Sequence, residues 1–345
     1  MISASANGRR PKSARVPENW ELVVQSAADN IRLRVFGHIM KNRGGYLSQA
    51  CSSAEMLAAL YLKIMHLGES TAPKIPQPFA GVPGPDNPHF FNGGEYNGPQ
   101  APEYDRFIFS PAHYALVLYA TLIEVGRMDA QGLEMFNKDG TTIEMIGAEH
   151  SPGVETTTGS LAQAISQAGG IALARKLKGE PGRVVVMMSD GEFQEGQTWE
   201  AIQAAKFHGL DNLIVYVDVN GQQCDGVVED VMTIEPLAER IEVFGGRAVA
   251  VDGHDIPALV HAADVPHDGR PTIVLGYTDP TRGVPLLNDR RPFLHTVRFG
   301  SEAEYQQYQE AYQAMLRQNS VRNYHMEQVK RHLEEYHQIV NGGTH

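Results

Sequence analysis

Val184-Val185-Val186-Met187-Met188-Ser189-Asp190-Gly191-Glu192 opens a pattern that Leu213-Ile214-Val215-Tyr216-Val217 and Asn220-Gly221-Gln222 complete. Each apolar run is short, rich in β-formers and bounded by polar residues or glycine, as buried strands are. Between them Gly196 to His208 has helical spacing and no proline. The unit is therefore strand–helix–strand, and its two strands run parallel. Asp190 and Asn220 then fall near the carboxyl ends of the strands, where open α/β sheets bind ligands. A carboxylate and an amide carbonyl are hard oxygen donors, suited to a magnesium- or calcium-type ion that also holds a diphosphate. An Asp-Gly or an Asn-Gly by itself is only a turn signal.

The alternation continues beyond this unit. Helix Glu235–Phe244, strand Arg247–Val251, helix Asp255–Ala263 and strand Thr272–Tyr277 follow in order. The fold class is α/β, a parallel sheet with helices on both faces. Upstream, Val24, Ala28, Ile31, Val35 and Ile39 make an apolar helical stripe ending before Gly44-Gly45. Further helices are expected over Ser53–His66, Ala112–Val125 and Asp129–Phe136, and a long one over Gly159–Leu177. In that long helix Gly169 and Gly170 each cost up to about 1 kcal/mol relative to alanine. Close approach of another helix would offset the cost, from this chain or across a two-fold axis. Gly68 to Glu103 is rich in proline and glycine, a length of loop that is usually functional or disordered. Its His89, Phe90, Phe91 and Tyr96 favour an ordered segment packed on something, a partner subunit being one candidate. From Ser301 the chain is polar and helical, an arm over residues 301–345.

Composition narrows the class. Hydrophobic content of 42% and charged content of 20% suit a globular protein with a sizeable core. The net charge of −12 argues against nucleic acid or an anionic membrane as main partner. No apolar run approaches the ~18 residues of a membrane span. Two cysteines, Cys51 and Cys224, form neither a disulfide framework nor a zinc pattern, which favours a cytoplasmic location. Arg9, Arg10, Lys12 and Arg15 lie in residues 1–17, read as a disordered leader rather than a transit peptide.

The stretch Ser189-Asp190-Gly191-Glu192-Phe193-Gln194-Glu195-Gly196-Gln197-Thr198-Trp199-Glu200-Ala201, with Asn220-Gly221-Gln222-Gln223-Cys224-Asp225-Gly226, resembles the thiamine-diphosphate fingerprint of transketolases. The usual opening is Gly-Asp-Gly, and here Ser189 replaces the first glycine. Pro152 to Leu161 and Asp105 to His113 also resemble transketolase motifs, the latter normally ending Lys-Gly-His. The resemblance covers about residues 20 to 310 and implies a diphosphate-binding domain over 18–300.

It further implies thiamine diphosphate with Mg2+ (or Ca2+), the metal held by Asp190, Asn220 and the backbone carbonyl of Gln222. Gly159, Ser160 and Leu161 would line the aminopyrimidine ring. Gly191 would aim its N–H at a phosphate, and Glu192, Asn220, His113 and His295 would complete the cofactor site. His113, His295 and His150 would be the catalytic histidines, and His254 would be structural. Where the family carries a Gly-His pair, this chain reads Gly45-Tyr46. Tyrosine donates a hydrogen bond but is no base near neutral pH, so donor recognition is expected to differ.

The family's catalytic glutamate lies in a second, pyrimidine-binding domain that the matched region does not include. The resemblance therefore implies the N-terminal subunit of a split transketolase. It would move a two-carbon ketol unit from a ketose to an aldose, on sugar or sugar-phosphate substrates. Its C-terminal partner subunit would bring the glutamate, in an α2β2 assembly. Alternatives are the α subunit of a 2-oxo-acid dehydrogenase-like or decarboxylating enzyme, and a catalytically silent assembly subunit.

Overall fold

The computed structural model describes residues 19–341 apart from 89 and 265, so the leader expected over residues 1–17 lies outside the described residues. The first part of the chain comprises α1 (Trp20–Asn42), β1 (Gly44–Gly45), α2 (Ser48–Ala59), β2 (Arg106–Phe109) and α3 (Ala115–Glu124). The central part comprises α4 (Gln163–Lys178), β3 (Val184–Ser189), α5 (Gly196–Phe207), β4 (Leu213–Val219), β5 (Gln222–Gln223) and β6 (Gly226–Val227). Then follow α6 (Val228–Met232), α7 (Leu237–Val243), β7 (Arg247–Asp252), α8 (Ile256–His261), β8 (Thr272–Tyr277), β9 (Val297–Arg298) and α9 (Glu302–Asn341).

Five strands form one parallel sheet in the order β2-β3-β4-β8-β7. Because side chains alternate across a strand, each strand feeds two cores. Val185, Met187, Ile214, Tyr216 and Val274 join α1, α2, α3 and α8 on one face. Val184, Val186, Met188, Leu213, Val215, Val217, Ile273 and Leu275 join α4, α5 and α7 on the other. Burying each such side chain is worth roughly 1.5–3 kcal/mol. The expected α/β architecture is what the structure shows.

Several boundaries differ from expectation. β2 was hidden inside the Asp105–His113 motif, because a four-residue strand gives too short an alternation to read. α2 begins at Ser48 rather than Ser53 and passes into one wide turn over Leu60–Ile64. Residues 130–135 form a 3-10 turn rather than an α-helix. α4 begins four residues late, because Ala162 takes a left-handed conformation (φ 67°). A Cβ added at Gly170 would meet nothing within 4 Å, and one at Gly169 would meet only Leu210 Cδ1 at 4.0 Å. Packing within the chain therefore does not account for that glycine pair.

The long Gly68–Glu103 segment packs on its own chain. Tyr96 is fully buried and donates to the Pro73 carbonyl at 2.7 Å. Gly93 lies against the Ser151 carbonyl so closely that a Cβ there would stand 1.7 Å from it. The start of α9 likewise packs inward, Tyr308 and Tyr312 meeting Phe36 of α1 edge-on at 6.3 and 5.5 Å. Among the described residues no helix is long and apolar enough to cross a membrane.

Candidate active site

At the carboxyl end of the sheet, β2, β3 and β4 deliver Ser110, Asp190 and Asn220, and β8 delivers Thr278. A cavity of about 370 Å³ opens there, lined among others by Gln49, His113, Gly159, Leu161, Gly191, Asn220, Gln222, Cys224 and His295. Asp190 and Asn220 also border a second cavity of about 440 Å³ beneath the loop that follows β4.

Asp190 is 1% exposed. Its Oδ1 accepts the Gly191 N–H at 2.8 Å and its Oδ2 accepts the Gly221 N–H at 2.7 Å. Burial, and then the neighbouring Asp218 carboxylate, push its carboxyl up to about 8, and the two backbone donors only partly oppose this. Asn220 Oδ1 accepts the Gln222 N–H at 2.9 Å. Asn220 Nδ2 donates to the Tyr114 hydroxyl at 2.9 Å and to Asp218 Oδ2 at 3.0 Å. Asp218 also accepts Ser52 Oγ (2.6 Å), Tyr114 OH (3.0 Å) and Thr278 Oγ1 (2.6 Å). These bonds fix which way the Asn220 amide faces.

This donor set fits a dication. Among the described residues no cationic side chain pairs with the buried Asp190 or Asp218, and Gln222 Oε1 is buried with no hydrogen-bond partner. Beside the Gln222 backbone carbonyl that the resemblance names, the side-chain oxygen of the same residue is a further unpaired acceptor among the described residues. Among the described residues no cluster of three or more His, Cys, Asp or Glu could hold a metal alone. A cation here must therefore share ligands with amide oxygens and with a bound phosphate, as hard ions do.

Glu192 departs from the cofactor-contact expectation. It is fully buried and does not line the cleft. Its Oε1 accepts the Ser189 N–H (2.9 Å) and Oγ (3.3 Å), and its Oε2 accepts the Ala162 N–H (2.9 Å) and the Ser110 hydroxyl. One carboxylate thus joins the exits of β2 and β3 to the start of α4, and the Ala162 bond holds that residue in its left-handed conformation. Burial raises the Glu192 carboxyl, and these donors lower it. Because Ala162 delays the helix, residues 160–162 form a bend and turn, and Gly159 and Leu161 face the cleft. Ser160 does not line it, and its Oγ accepts from Gln163 Nε2 at 3.0 Å. Gly191 lines the cleft with its N–H already committed to Asp190.

The histidines separate into three groups. His113 and His295 line the cleft together, ring centroids 5.1 Å apart. Burial, then the other imidazole, push His113 down to about 3, and burial lowers His295 against the pull of Asp225. Both rings are neutral at pH ~7, each with one N–H and one lone pair. His150 is a correction: it lies outside the cleft, its Nε2 3.1 Å from Glu144 Oε2 and its ring 4.6 Å from Phe79. Phe79 belongs to the long proline-rich segment. His254 ties Glu55 (3.1 Å) to the Asp279 N–H (2.8 Å), a structural bridge.

Sequence reasoning missed Tyr114, Asp218 and Ser52. Asp218 carried a signal, a carboxylate inside an otherwise apolar strand that can be buried only with partners. Tyr114 and Ser52 carried none, being ordinary residues on helices.

Residues 89–331 match the family model for the transketolase thiamine diphosphate binding domain. The chain is 38% identical over 250 residues to a putative uncharacterized transketolase family protein of Sinorhizobium fredii, covering 71% of this chain and 80% of that one. It is 31% identical over 258 residues to the 6-deoxy-6-sulfo-D-fructose transketolase subunit of a Clostridium species, covering 74% and 84%. In fold it resembles transketolase from Pichia stipitis solved with sedoheptulose-7-phosphate, with a TM-score of 0.60 at 23% identity. That alignment covers 91% of this chain and 48% of the other, so the chain spans about half of that transketolase.

Proposed function

This chain belongs to the transketolase family, and on that premise we propose that it is the thiamine-diphosphate-binding subunit of a split transketolase. The observation that carries the reading is one cleft with two unlike ends. Asn220 and Gln222 line one end, with Asp190 in the adjoining cavity that Asn220 also borders, and the neutral His113–His295 pair lines the other. Asp190, Asn220 and Gln222 would hold Mg2+ (or Ca2+), and through it the diphosphate. Gly159 and Leu161 would border the ring portion of the cofactor. Bound thiamine diphosphate supplies the nucleophilic carbon that accepts a two-carbon ketol unit.

His113 and His295 donate to the ketose carbonyl oxygen and take up a hydroxyl proton at their free ring nitrogens. A neutral imidazole carries both an N–H donor and a lone pair, so each ring can face one substrate oxygen as donor and another as acceptor. A C-terminal partner carrying the pyrimidine-binding domain would bring the glutamate the cofactor needs, in an α2β2 assembly working on sugars or sugar phosphates. Residues 18–300 would form the cofactor domain, at work in the cytoplasm.

The test assays the chain alone and mixed with a pyrimidine-domain subunit, on ketose donors and on 2-oxo acids. The expected outcome is aldose release from a ketose by the mixture only. Turnover by the chain alone removes the split-enzyme reading, and CO2 from a 2-oxo acid moves the chain to the decarboxylating class.

A further inference from the structure

Tyr46 is held by backbone geometry that leaves it little freedom. Arg43 ends α1 in a left-handed conformation (φ 56°), and Gly44 and Gly45 follow at φ 154° and 137°. The two glycines pair antiparallel with β9, Gly44 opposite Arg298 and Gly45 opposite Val297. A Cβ on Gly44 would stand 2.9 Å from the Val297 carbonyl oxygen, and one on Gly45 would stand 2.6 Å from Ile39 Cδ1. Only glycine fits this ladder without displacement. The ladder carries Tyr46 to His295, which lies two residues before Val297. Gln49 Nε2 then donates to the His295 carbonyl at 3.0 Å, and Ser48 Oγ donates to Leu294 at 2.8 Å, locking the two segments together.

The ring of Tyr46 meets both cleft imidazoles edge-on. Its centroid lies 5.4 Å from His295 at 74° and 6.0 Å from His113 at 67°. On its other side it lines a separate cavity of about 310 Å³, walled also by His38, Leu116, Phe136 and Met145. His113 and His295 line the cleft but not this second cavity, and Tyr46 lines the second cavity but not the cleft. The ring therefore stands between the cleft that the histidines line and this open recess.

We propose that Tyr46 is a positioning and specificity-determining residue, a partition that holds the His113 and His295 rings and closes the cleft against the cavity behind them. It acts through the two histidines. It limits the size of the group that seats against them, which on the functional reading above is the two-carbon unit of the ketose. Removing the ring joins the spaces and leaves room for extra atoms on the transferred unit. The hydroxyl is not what performs this task, so phenylalanine keeps it and alanine loses it.

The experiment has two arms. In the first, the complex with its partner is assayed on a ketose and on the same ketose with one extra methyl group on the terminal hydroxymethyl carbon. Wild type and Tyr46→Phe should reject the methylated donor. Tyr46→Ala should move the kcat/KM ratio toward it by about tenfold or more, the range one methylene commands in a pocket. In the second, the full chain alone is followed by NMR of its histidine rings. Tyr46→Ala should shift the His113 and His295 signals while those of His254 stay, and Tyr46→Phe should shift neither pair. An unchanged donor ratio and unmoved histidine signals in Tyr46→Ala overturn the partition, as does a Tyr46→Phe variant as altered as Tyr46→Ala. Absence of ketol transfer from every donor in wild type overturns the functional reading alone, because the histidine signals still decide whether Tyr46 positions the rings.

Discussion

The two ends of the cleft are held by opposite means. Around Asp190 and Asn220 nearly every polar atom is engaged: backbone N–H groups, Tyr114, Ser52 and Thr278 converge on Asp190, Asp218 and Asn220. Around His113 and His295 the side chains meet rings, with Tyr46, Tyr114 and each other as neighbours. A hydrogen-bond network holds charge and directs donor oxygens, and buried unpaired members of it are costly. Ring packing holds shape and tolerates isosteric change, but little loss of volume. One end thus suits a charged group and the other a neutral one.

The largest expected break in that contrast is Asp190→Ala. It should reduce metal-dependent thiamine diphosphate binding by at least about 100-fold, since even outer-shell partners of metal ligands are worth about 10–100-fold. The histidine NMR signals at the other end should hardly move. Calorimetric titration that finds undiminished, metal-dependent binding would remove Asp190 from the ligand set.

Glu192→Ala sharpens the comparison by separating scaffold from ligand. It strands the Ser110 hydroxyl, the Ala162 N–H and the Ser189 N–H in a buried place. The cost should be about 3 kcal/mol or more in denaturant unfolding, at roughly 1–3 kcal/mol for each unsatisfied group. A variant that unfolds like wild type but loses cofactor affinity would return Glu192 to the binding residues.

The smallest effect is in pH. The Asp190 carboxyl stands at about 8 in the folded, metal-free chain against an ordinary 3.8. The folded chain keeps this proton while the unfolded chain releases it, so metal-free stability falls as pH rises from ~4 to ~8. On the proposed function a dication bound there would displace the proton and supply the missing charge. The gain in melting temperature on adding Mg2+ and thiamine diphosphate should therefore be larger at pH ~8 than at pH ~6. An equal gain at both would mean that Asp190 is already ionised without metal.

The gripping end was legible in the sequence because its parts are local. Asp190 and Asn220 each follow a short, continuous apolar run that marks a buried strand, so their placement needed only the sheet. Glu192 misled because its neighbours in sequence belong to the cleft, while its partners Ser110 and Ala162 arrive from other segments. The start of α4 misled for a related reason. Ala162 has helical composition, but a bond from a distant carboxylate holds it outside the helix. His150 lies just before a motif that holds cleft residues, yet its ring meets Phe79 and Glu144.

By itself the sequence determined the parallel sheet, its two buried faces and the oxygen donors at its carboxyl end. Burial patterns and strand ends are properties of neighbouring residues along the chain. Only the tertiary structure decided which histidines meet and what stands behind them. His113, His295 and Tyr46 come from the exit of β2, the approach to β9 and the end of β1. Their meeting depends on a two-residue ladder between distant segments, whose register no local periodicity encodes.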